Sequence, residues 1–223
     1  MQSEIFKNEE SDNYFLRNRT TRSFTADYII NIFGKKMLSN SLIAEFGIGG
    51  GSNLMLLSNY CTGVYGFDAS KMAVDNFQQY CMSFYGDNCG EMAFNVNLCK
   101  PLDLGLKFDI VIFGFFAYYC SDDELEVAKC NALNMLNEKG FIFVYDFLTR
   151  ENKSKKDSRN NNLNVYKRNI NFWLDFFKDL DFIDYRLFDN RNLKRYLIKD
   201  KHTIDEDISP CDEDWNFGAL FRK

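Results

Sequence analysis

The residues best suited to chemistry are an acid, three glycines and a second acid, spaced so that they could hold a nucleoside. The first four form the pattern Glu45-x-Gly47-x-Gly49-x-Gly51, which follows a short apolar run. Glycines at such positions let a ligand approach the backbone, and a helix that begins there presents free N–H groups. Asp68 lies 17 residues beyond Gly51, where a carboxylate can accept hydrogen bonds from both hydroxyls of a ribose.

Apolar runs and helical patterns alternate along the chain and predict the elements that position these residues. We predict strands over 42–46, 63–68, 94–98, 108–114, 141–146, 182–188 and 214–221, and helices over 54–57, 71–84, 122–136 and 170–180. The first five strands are largely apolar, and helices separate most of them. This order indicates a doubly wound α/β fold with a mostly parallel sheet.

Two segments are harder to interpret. Residues 1–13 are polar and predict an irregular terminus, whereas 14–38 have apolar residues at helical spacing. Residues 149–168 are polar without periodicity. A segment of that length is either a functional loop or disordered.

Composition limits the class of protein. A chain of 223 residues that is 46% hydrophobic fits one domain over 1–223, with an N-terminal helical cap over 1–40 and a substrate region over 147–213. The net charge of −5 argues against a nucleic-acid partner. No apolar run predicts a membrane span, and the first residues do not form a secretory signal. The seven cysteines lack a CxxC pair, which favours reduced thiols in the cytoplasm and no metal site.

A nicotinamide dinucleotide fold shares the order strand, glycine turn, helix, strand and acid. Its fingerprint G-x-G-x-x-G, started at Gly47, requires glycine at position 52, where this chain has Ser52. The observed spacing, preceded by Glu45, instead resembles motif I of the class I S-adenosylmethionine-dependent methyltransferases.

The resemblance extends along most of the chain. Residues 108–113 resemble the fourth strand of that family, and 136–141 resemble the turn before its fifth strand, with a proline and one glycine lost. It implies a seven-stranded Rossmann-like methyltransferase fold of order 3-2-1-4-5-7-6, with the seventh strand antiparallel. It also implies S-adenosyl-L-methionine as the cofactor.

The resemblance assigns cofactor-binding residues by position. Asp68 would bind the ribose, Asn97 and Leu98 would lie at the adenine, and Arg19 would meet the methionine carboxylate. The remaining predicted cofactor contacts are Tyr14, Glu45, Gly47, Gly49, Gly51 and Phe113.

The acceptor is predicted from residues that follow the fourth and fifth strands. Tyr118, Asp146 and the single histidine, His202, are the candidate catalytic residues, and Tyr119 is a candidate substrate contact. An alcohol nucleophile benefits from a base, whereas an ionised phosphate or carboxylate oxygen does not need one. Residues 114–119 lack the (N/D)-P-P-(Y/F) motif of amino-methylating relatives, which favours methylation of oxygen.

Charge distribution indicates what the acceptor carries. Residues 147–201 contain 14 Lys and Arg against 8 Asp and Glu, although the whole chain is acidic. We therefore predict a small anionic metabolite, phosphorylated or nucleotide-activated, that Arg191, Lys194 and Arg195 help to bind. Residue usage is typical of a bacterium, where by analogy a surface-polysaccharide precursor is one such substrate. The alternatives are a nicotinamide-dependent oxidoreductase and a methyltransferase-fold protein that is non-catalytic or protein-directed.

Overall fold

An eight-stranded mixed sheet forms the centre of the protein in the computed structural model, which describes residues 1–20, 25–86, 89–147, 149, 151–189, 196–197 and 215–223. Ten strands are present in these ranges: β1 Leu42–Phe46, β2 Gly63–Asp68, β3 Ala93–Asn95, β4 Phe108–Phe113, β5 Leu136–Phe147, β6 Lys153–Lys156, β7 Asn164–Lys167, β8 Asp181–Asp189, β9 Tyr196–Leu197 and β10 Trp215–Arg222.

The order of the main sheet is β3-β2-β1-β4-β5-β10-β8-β9. Strands β1 to β5 pair in parallel, and β10 is antiparallel to both β5 and β8. The predicted order 3-2-1-4-5-7-6 is confirmed, with β10 as the seventh strand and β8 as the sixth. Strand β9 extends the edge, and β3 is shorter than predicted because residues 96–98 lie beyond it.

Seven α-helices are present in the described ranges: α1 Gln2–Ile5, α2 Ser11–Asn18, α3 Thr25–Leu38, α4 Ser52–Leu57, α5 Lys71–Tyr85, α6 Asp122–Met135 and α7 Ile170–Phe176. A π-helical turn, Phe6–Glu10, joins α1 to α2, and a 3₁₀ turn, Phe115–Tyr119, follows β4. Helix α6 begins with a capping box between Ser121 and Glu124, as predicted. None of the described helices has the length and hydropathy needed to cross a membrane.

Both faces of the sheet are buried, which explains the continuous apolar character of its strands. In β4, Val111 and Phe113 pack with α6 and α7 on one face, whereas Ile110 and Ile112 pack with α3, α4 and α5 on the other. Trp173 of α7 is fully buried in the first cluster. The alternation fixes the register of each strand and brings all the parallel carboxyl ends to one edge.

Two predictions for the polar segments are wrong. Residues 1–13 are helical because their polar side chains bond to the body of the protein: the Gln2 amide donates to the carbonyl oxygens of Tyr119 and Asn164, at 2.6 and 2.7 Å. Residues 153–167 form an antiparallel hairpin, in which Lys153 pairs with Lys167 and Lys156 with Asn164. Its strands are four residues long, too short to show an alternating pattern.

Candidate active site

The glycine turn follows β1 and combines close packing with one open position. Gly47, Gly49 and Gly51 have φ angles of 79°, 49° and 75°, in the left-handed region that favours glycine. A Cβ at Gly47 would lie 2.7 Å from Cβ of Phe116, and one at Gly51 would lie 2.8 Å from the ring of Phe77. A Cβ at Gly49 would meet no heavy atom within 4 Å, so Gly49 borders open space.

Asp68 ends β2 beside this turn. Its carboxylate accepts hydrogen bonds from the N–H of Gly49 at 3.0 Å and the N–H of Ser70 at 2.8 Å. Burial raises the pKa of Asp68, and the hydrogen bonds from Ser70 and Gly49 oppose that shift. The glycine turn and the acid predicted at the next strand therefore meet directly.

A cavity with about 710 Å³ of empty space lies between these residues and the N-terminal helices. That volume is within the ~300–1,000 Å³ typical of small-molecule sites. Its wall includes elements that follow β1, β2, β3 and β4, at the carboxyl edge where ligands bind in such sheets. It is lined by Ser3, Phe6, Ser11, Tyr14, Phe15, Gly47, Gly49, Asp68, Ala69, Ser70, Val96, Asn97, Leu98, Cys99, Phe115, Phe116, Tyr119 and Cys120.

The N-terminal segment covers one side of this cavity. Asp12 of α2 accepts hydrogen bonds from the Ser70 hydroxyl at 2.6 Å and from the N–H of Met72 at 3.2 Å, which fastens α2 to the start of α5. Tyr14 contributes its ring, and burial together with the charge of Asp68 raises the pKa of its hydroxyl. The segment predicted to be irregular is therefore a built wall of the site.

Asn97 and Leu98 line the cavity beyond β3. The Asn97 amide donates to Oε1 of Glu4 at 2.6 Å and to the Ser3 hydroxyl at 3.2 Å, and its oxygen accepts from the N–H of Cys99. Thus Asn97 also connects this side of the cavity to the N-terminal segment.

Glu45 lies beneath the turn and is not among the cavity-lining residues. Its Oε1 accepts from the Asn53 amide at 2.7 Å, while Oε2 has no partner among the described residues. Burial raises the pKa of Glu45 to about 8, against the opposing hydrogen bond from Asn53. We interpret Glu45 as a group that acts on the turn from below.

Asp146, near the end of β5, is fully buried. Its Oδ1 accepts from the N–H of Phe147 at 2.8 Å, and Oδ2 has no partner in the described part of the chain. Burial raises the pKa of Asp146 to about 7, although the charges of Arg168 and Lys167 act in the opposite direction. A carboxyl group with that pKa can accept a proton near neutral pH.

Tyr118 and Tyr119 lie in the 3₁₀ turn and differ in role. The Tyr119 hydroxyl donates to Oδ2 of Asp157 at 2.7 Å, so it joins the cavity wall to the hairpin. The ring of Tyr118 is partly buried and packs 5.0 Å from the ring of Phe147, between centroids.

Arg168 holds this turn in place from the end of β7. Its guanidinium donates to the carbonyl oxygens of Ala117 at 2.9 Å and Cys120 at 2.7 Å, and pairs with Asp122 at 2.7 Å. Because Arg168 is almost fully buried, these contacts fix the backbone that carries the two tyrosines.

Two predicted cofactor contacts are not placed as expected. Phe113 is fully buried in the core, where its ring packs against Phe46, Trp173 and Phe177, and it does not line the cavity. Its position at the end of β4 has the right height but the wrong face. Arg19 has an exposed side chain, and its backbone carbonyl lies where a Cβ on residue 50 would be. Arg191, Lys194, Arg195 and His202 lie outside the described residues.

Sequence reasoning missed Asp12, Ser70 and Asp157, three polar residues of this region. Ser70 carries a signal, since it directly precedes a helical pattern and caps α5 by accepting from the N–H of Ala73. Asp157 accepts from the N–H of Arg159 two residues on, a local pattern typical of turns. The role of Asp12 depends on a contact 58 residues away, which local patterns cannot predict.

No protein-family model matches this chain, and no curated protein matches it either. Solved structures do. The 1,6-didemethyltoxoflavin-N1-methyltransferase of Burkholderia thailandensis, with 1,6-didemethyltoxoflavin and S-adenosylhomocysteine bound, matches with a TM-score of 0.69 at 11% identity, over 100% of this chain and 86% of that one.

Two further solved structures match over nearly their whole length. They are the magnesium protoporphyrin IX methyltransferase of Synechocystis with bound S-adenosylmethionine (TM-score 0.62, 13% identity, 100% and 97% coverage) and the N-methyltransferase NodS of Bradyrhizobium japonicum with S-adenosylhomocysteine (0.58, 14%, 99% and 96%). This chain has the fold of the class I S-adenosylmethionine-dependent methyltransferases, and the predicted fold is confirmed.

Proposed function

We propose that this chain is an S-adenosylmethionine-dependent methyltransferase that transfers the methyl group to an oxygen of a small anionic molecule. The observation that carries the proposal is the meeting of the Asp68 carboxylate and the open Gly49 position at one enclosed cavity. The solved structures with this fold that contain S-adenosylhomocysteine or S-adenosylmethionine support the choice of cofactor.

The residues around the cavity suit such a nucleoside. Asp68 would accept hydrogen bonds from its ribose hydroxyls, and Leu98 would supply an apolar surface for its base. Gly49 would let the ligand lie close to the backbone, with Tyr14 closing the site from the other side. S-adenosylmethionine would supply an electrophilic methyl group. The chain's task is to align the acceptor oxygen with that group and to exclude water.

Asp146 and Tyr118 are the proposed acceptor-side residues. Asp146 is buried and has one unpartnered oxygen, so in its ionised form it can accept the proton of an acceptor hydroxyl. Tyr118 and the neighbouring Tyr119 would shape the space in front of it. The excess of cations in residues 147–201 supports an anionic acceptor. Arg191, Lys194, Arg195 and His202 stay as predicted contributors.

The nicotinamide alternative is weaker because position 52, where the dinucleotide fingerprint requires glycine, is Ser52, the first residue of α4. A non-catalytic or protein-directed role for the same fold is separated from the proposal by experiment. The cytoplasmic location also stays a prediction.

The test is transfer of labelled methyl from S-adenosylmethionine to components of a bacterial extract, separated into small molecules and proteins. We expect label in an anionic small molecule with the native chain and none with Asp146→Asn. Asp109→Asn, at the opposite edge of the sheet, serves as a control for the loss of an acid. Label in proteins would indicate a protein-directed enzyme, and no label in any fraction would contradict the proposed activity.

A further inference from the structure

The β6–β7 hairpin concentrates positive charge on one face. Residues directly opposite in an antiparallel pair, and residues two apart in a strand, share a face. Lys153 is opposite Lys167, and Lys155 is opposite Val165, so these four share one face. We call Lys153, Lys155 and Lys167 the lysine face; Lys156 belongs to the other side of the hairpin.

The lysine face is turned towards the candidate active site. Val165 on this face is buried in a cluster with Tyr119, whose ring lines the cavity. The hairpin is held in this orientation by two bonds from its far end, where Asp157 accepts from Tyr119 and from the N–H of Arg159. The three lysines therefore belong to the rim of the same site.

An aromatic wall connects the lysine face to the cavity. Nζ of Lys167 lies 5.1 Å from the centre of the Phe147 ring. That ring packs against Tyr118 at 5.0 Å and against Phe115 at 4.9 Å, between centroids, and Phe115 lines the cavity. Such a wall offers a flat apolar surface next to a positive charge.

Two buried polar atoms at the same end of β5 have no partner among the described residues. They are Oδ2 of Asp146 and Oγ1 of Thr149, whose residues are 0% and 3% exposed. Buried polar groups are normally hydrogen-bonded, so such a pair at the edge of a site is a reason to expect a ligand. A hydroxyl group of an acceptor could donate to Asp146 and accept from Thr149.

The charges of the hairpin also favour an anionic ligand. Lys153 and Lys167 stand directly opposite each other, an arrangement that is destabilising between like charges. The acid within the hairpin, Asp157, already accepts two hydrogen bonds and belongs to the turn. A phosphate or carboxylate placed over the lysine face would reduce the repulsion.

We propose that the lysine face binds the anionic group of the methyl acceptor while a ring of the acceptor lies against Phe147 and Tyr118. The acceptor is then an aromatic or heteroaromatic compound that carries a phosphate or carboxylate, with its reacting hydroxyl at Asp146. This inference rests on the proposed function, because it needs the methyl donor to occupy the adjoining cavity.

The experiment uses phenyl phosphate as the probe, titrated by calorimetry into the full chain saturated with S-adenosylhomocysteine. We expect binding to the native chain, and weaker binding by about 10-fold in the double variant Lys155→Gln/Lys167→Gln, since each exposed ion pair contributes a modest factor. The matched control is Lys156→Gln, which removes the same charge from the other side of the same hairpin and should leave the affinity unchanged.

Inorganic phosphate and benzyl alcohol separate the two parts of the proposed contact. Both should bind more weakly than phenyl phosphate, because each lacks either the ring or the charge. If S-adenosylhomocysteine binds but phenyl phosphate does not, or if Lys156→Gln weakens binding as much as the double variant, the lysine face is not the anion site and the proposed function stands. If S-adenosylhomocysteine itself fails to bind, both proposals are overturned.

Discussion

The hydroxyl of Tyr119 donates a 2.7 Å hydrogen bond to the carboxylate of Asp157, and this bond joins the wall of the cavity to the β6–β7 hairpin. Tyr119 is 5% exposed and Asp157 is 6% exposed. Burial and the bond to Asp157 raise the pKa of the Tyr119 hydroxyl, so it stays protonated and continues to donate. The hairpin is therefore fixed to the site by a buried, charge-assisted contact.

Tyr119→Phe should lower the free energy of unfolding by about 1–3 kcal/mol, because a hydrogen bond to a charged group is lost and Asp157 stays buried. Urea denaturation measures this change. Asp157→Asn and the double variant complete a cycle whose coupling energy reports the bond itself. A coupling energy near zero would mean that the hairpin is held by other contacts.

Asp12 should control how long a ligand stays in the cavity, because its carboxylate fastens α2 to the hydroxyl of Ser70 and the N–H of Met72. Asp12→Ala removes hydrogen bonds to a charged group, and we expect S-adenosylhomocysteine to dissociate about 10-fold faster. Chase of labelled S-adenosylhomocysteine measures the rate. Asp75→Ala, which breaks the exposed pair with Lys71 on α5, should leave the rate unchanged; equal rates in both variants would refute the role of Asp12.

Gly49 and Gly34 provide a matched test of the glycine turn. Both have positive φ angles, 49° and 69°, and a Cβ at either would meet no heavy atom within 4 Å. Alanine should therefore destabilise the fold by a similar amount at each position, about 1–2 kcal/mol. Only Gly49 lines the cavity, so Gly49→Ala should weaken S-adenosylhomocysteine binding by at least about 10-fold in calorimetry, while Gly34→Ala should not. Equal affinities would place the ligand elsewhere.

Asp146 should make stability fall as the pH rises. Burial raises its pKa from 3.8 to about 7, so the protonated form stabilises the fold fully below the ordinary pKa. That contribution is lost as the pH rises through about 7. Asp146→Asn removes the titration, so its stability relative to the native chain should improve between pH 5 and pH 8 in urea denaturation. A relative stability that does not change with pH would contradict the raised pKa.

The same group should set the pH dependence of turnover. If Asp146 is the base, turnover requires its ionised form and should rise through a pKa of about 7. Turnover that is flat across this range in the native chain would exclude Asp146 as the base.

The sequence predicted the glycine turn, Asp68 and the order of the sheet because these depend on local composition and on general rules of chain connection. Buried parallel strands are apolar throughout, so β1, β2 and β4 were visible without knowledge of their neighbours.

The cover of the site could not be predicted in the same way. Gln2 and Asp12 are ordinary polar residues until the chain returns to place Asn164 and Ser70 beside them. Phe113 shows the opposite error, because the end of a strand predicts height along the sheet and does not identify which face a side chain takes. Contacts between residues distant in sequence decide both cases.

The most direct test of the account is a calorimetric titration of the native chain, Asp68→Asn and Asp75→Asn with S-adenosylhomocysteine. Asp68 is the buried acid of the cavity, and Asp75 is an exposed acid on the neighbouring helix. We predict binding to the native chain and to Asp75→Asn with equal affinity, and a loss of about 10- to 100-fold in Asp68→Asn, since hydrogen bonds to a charged group are removed. Absence of binding to the native chain, or unchanged affinity in Asp68→Asn, would contradict the account.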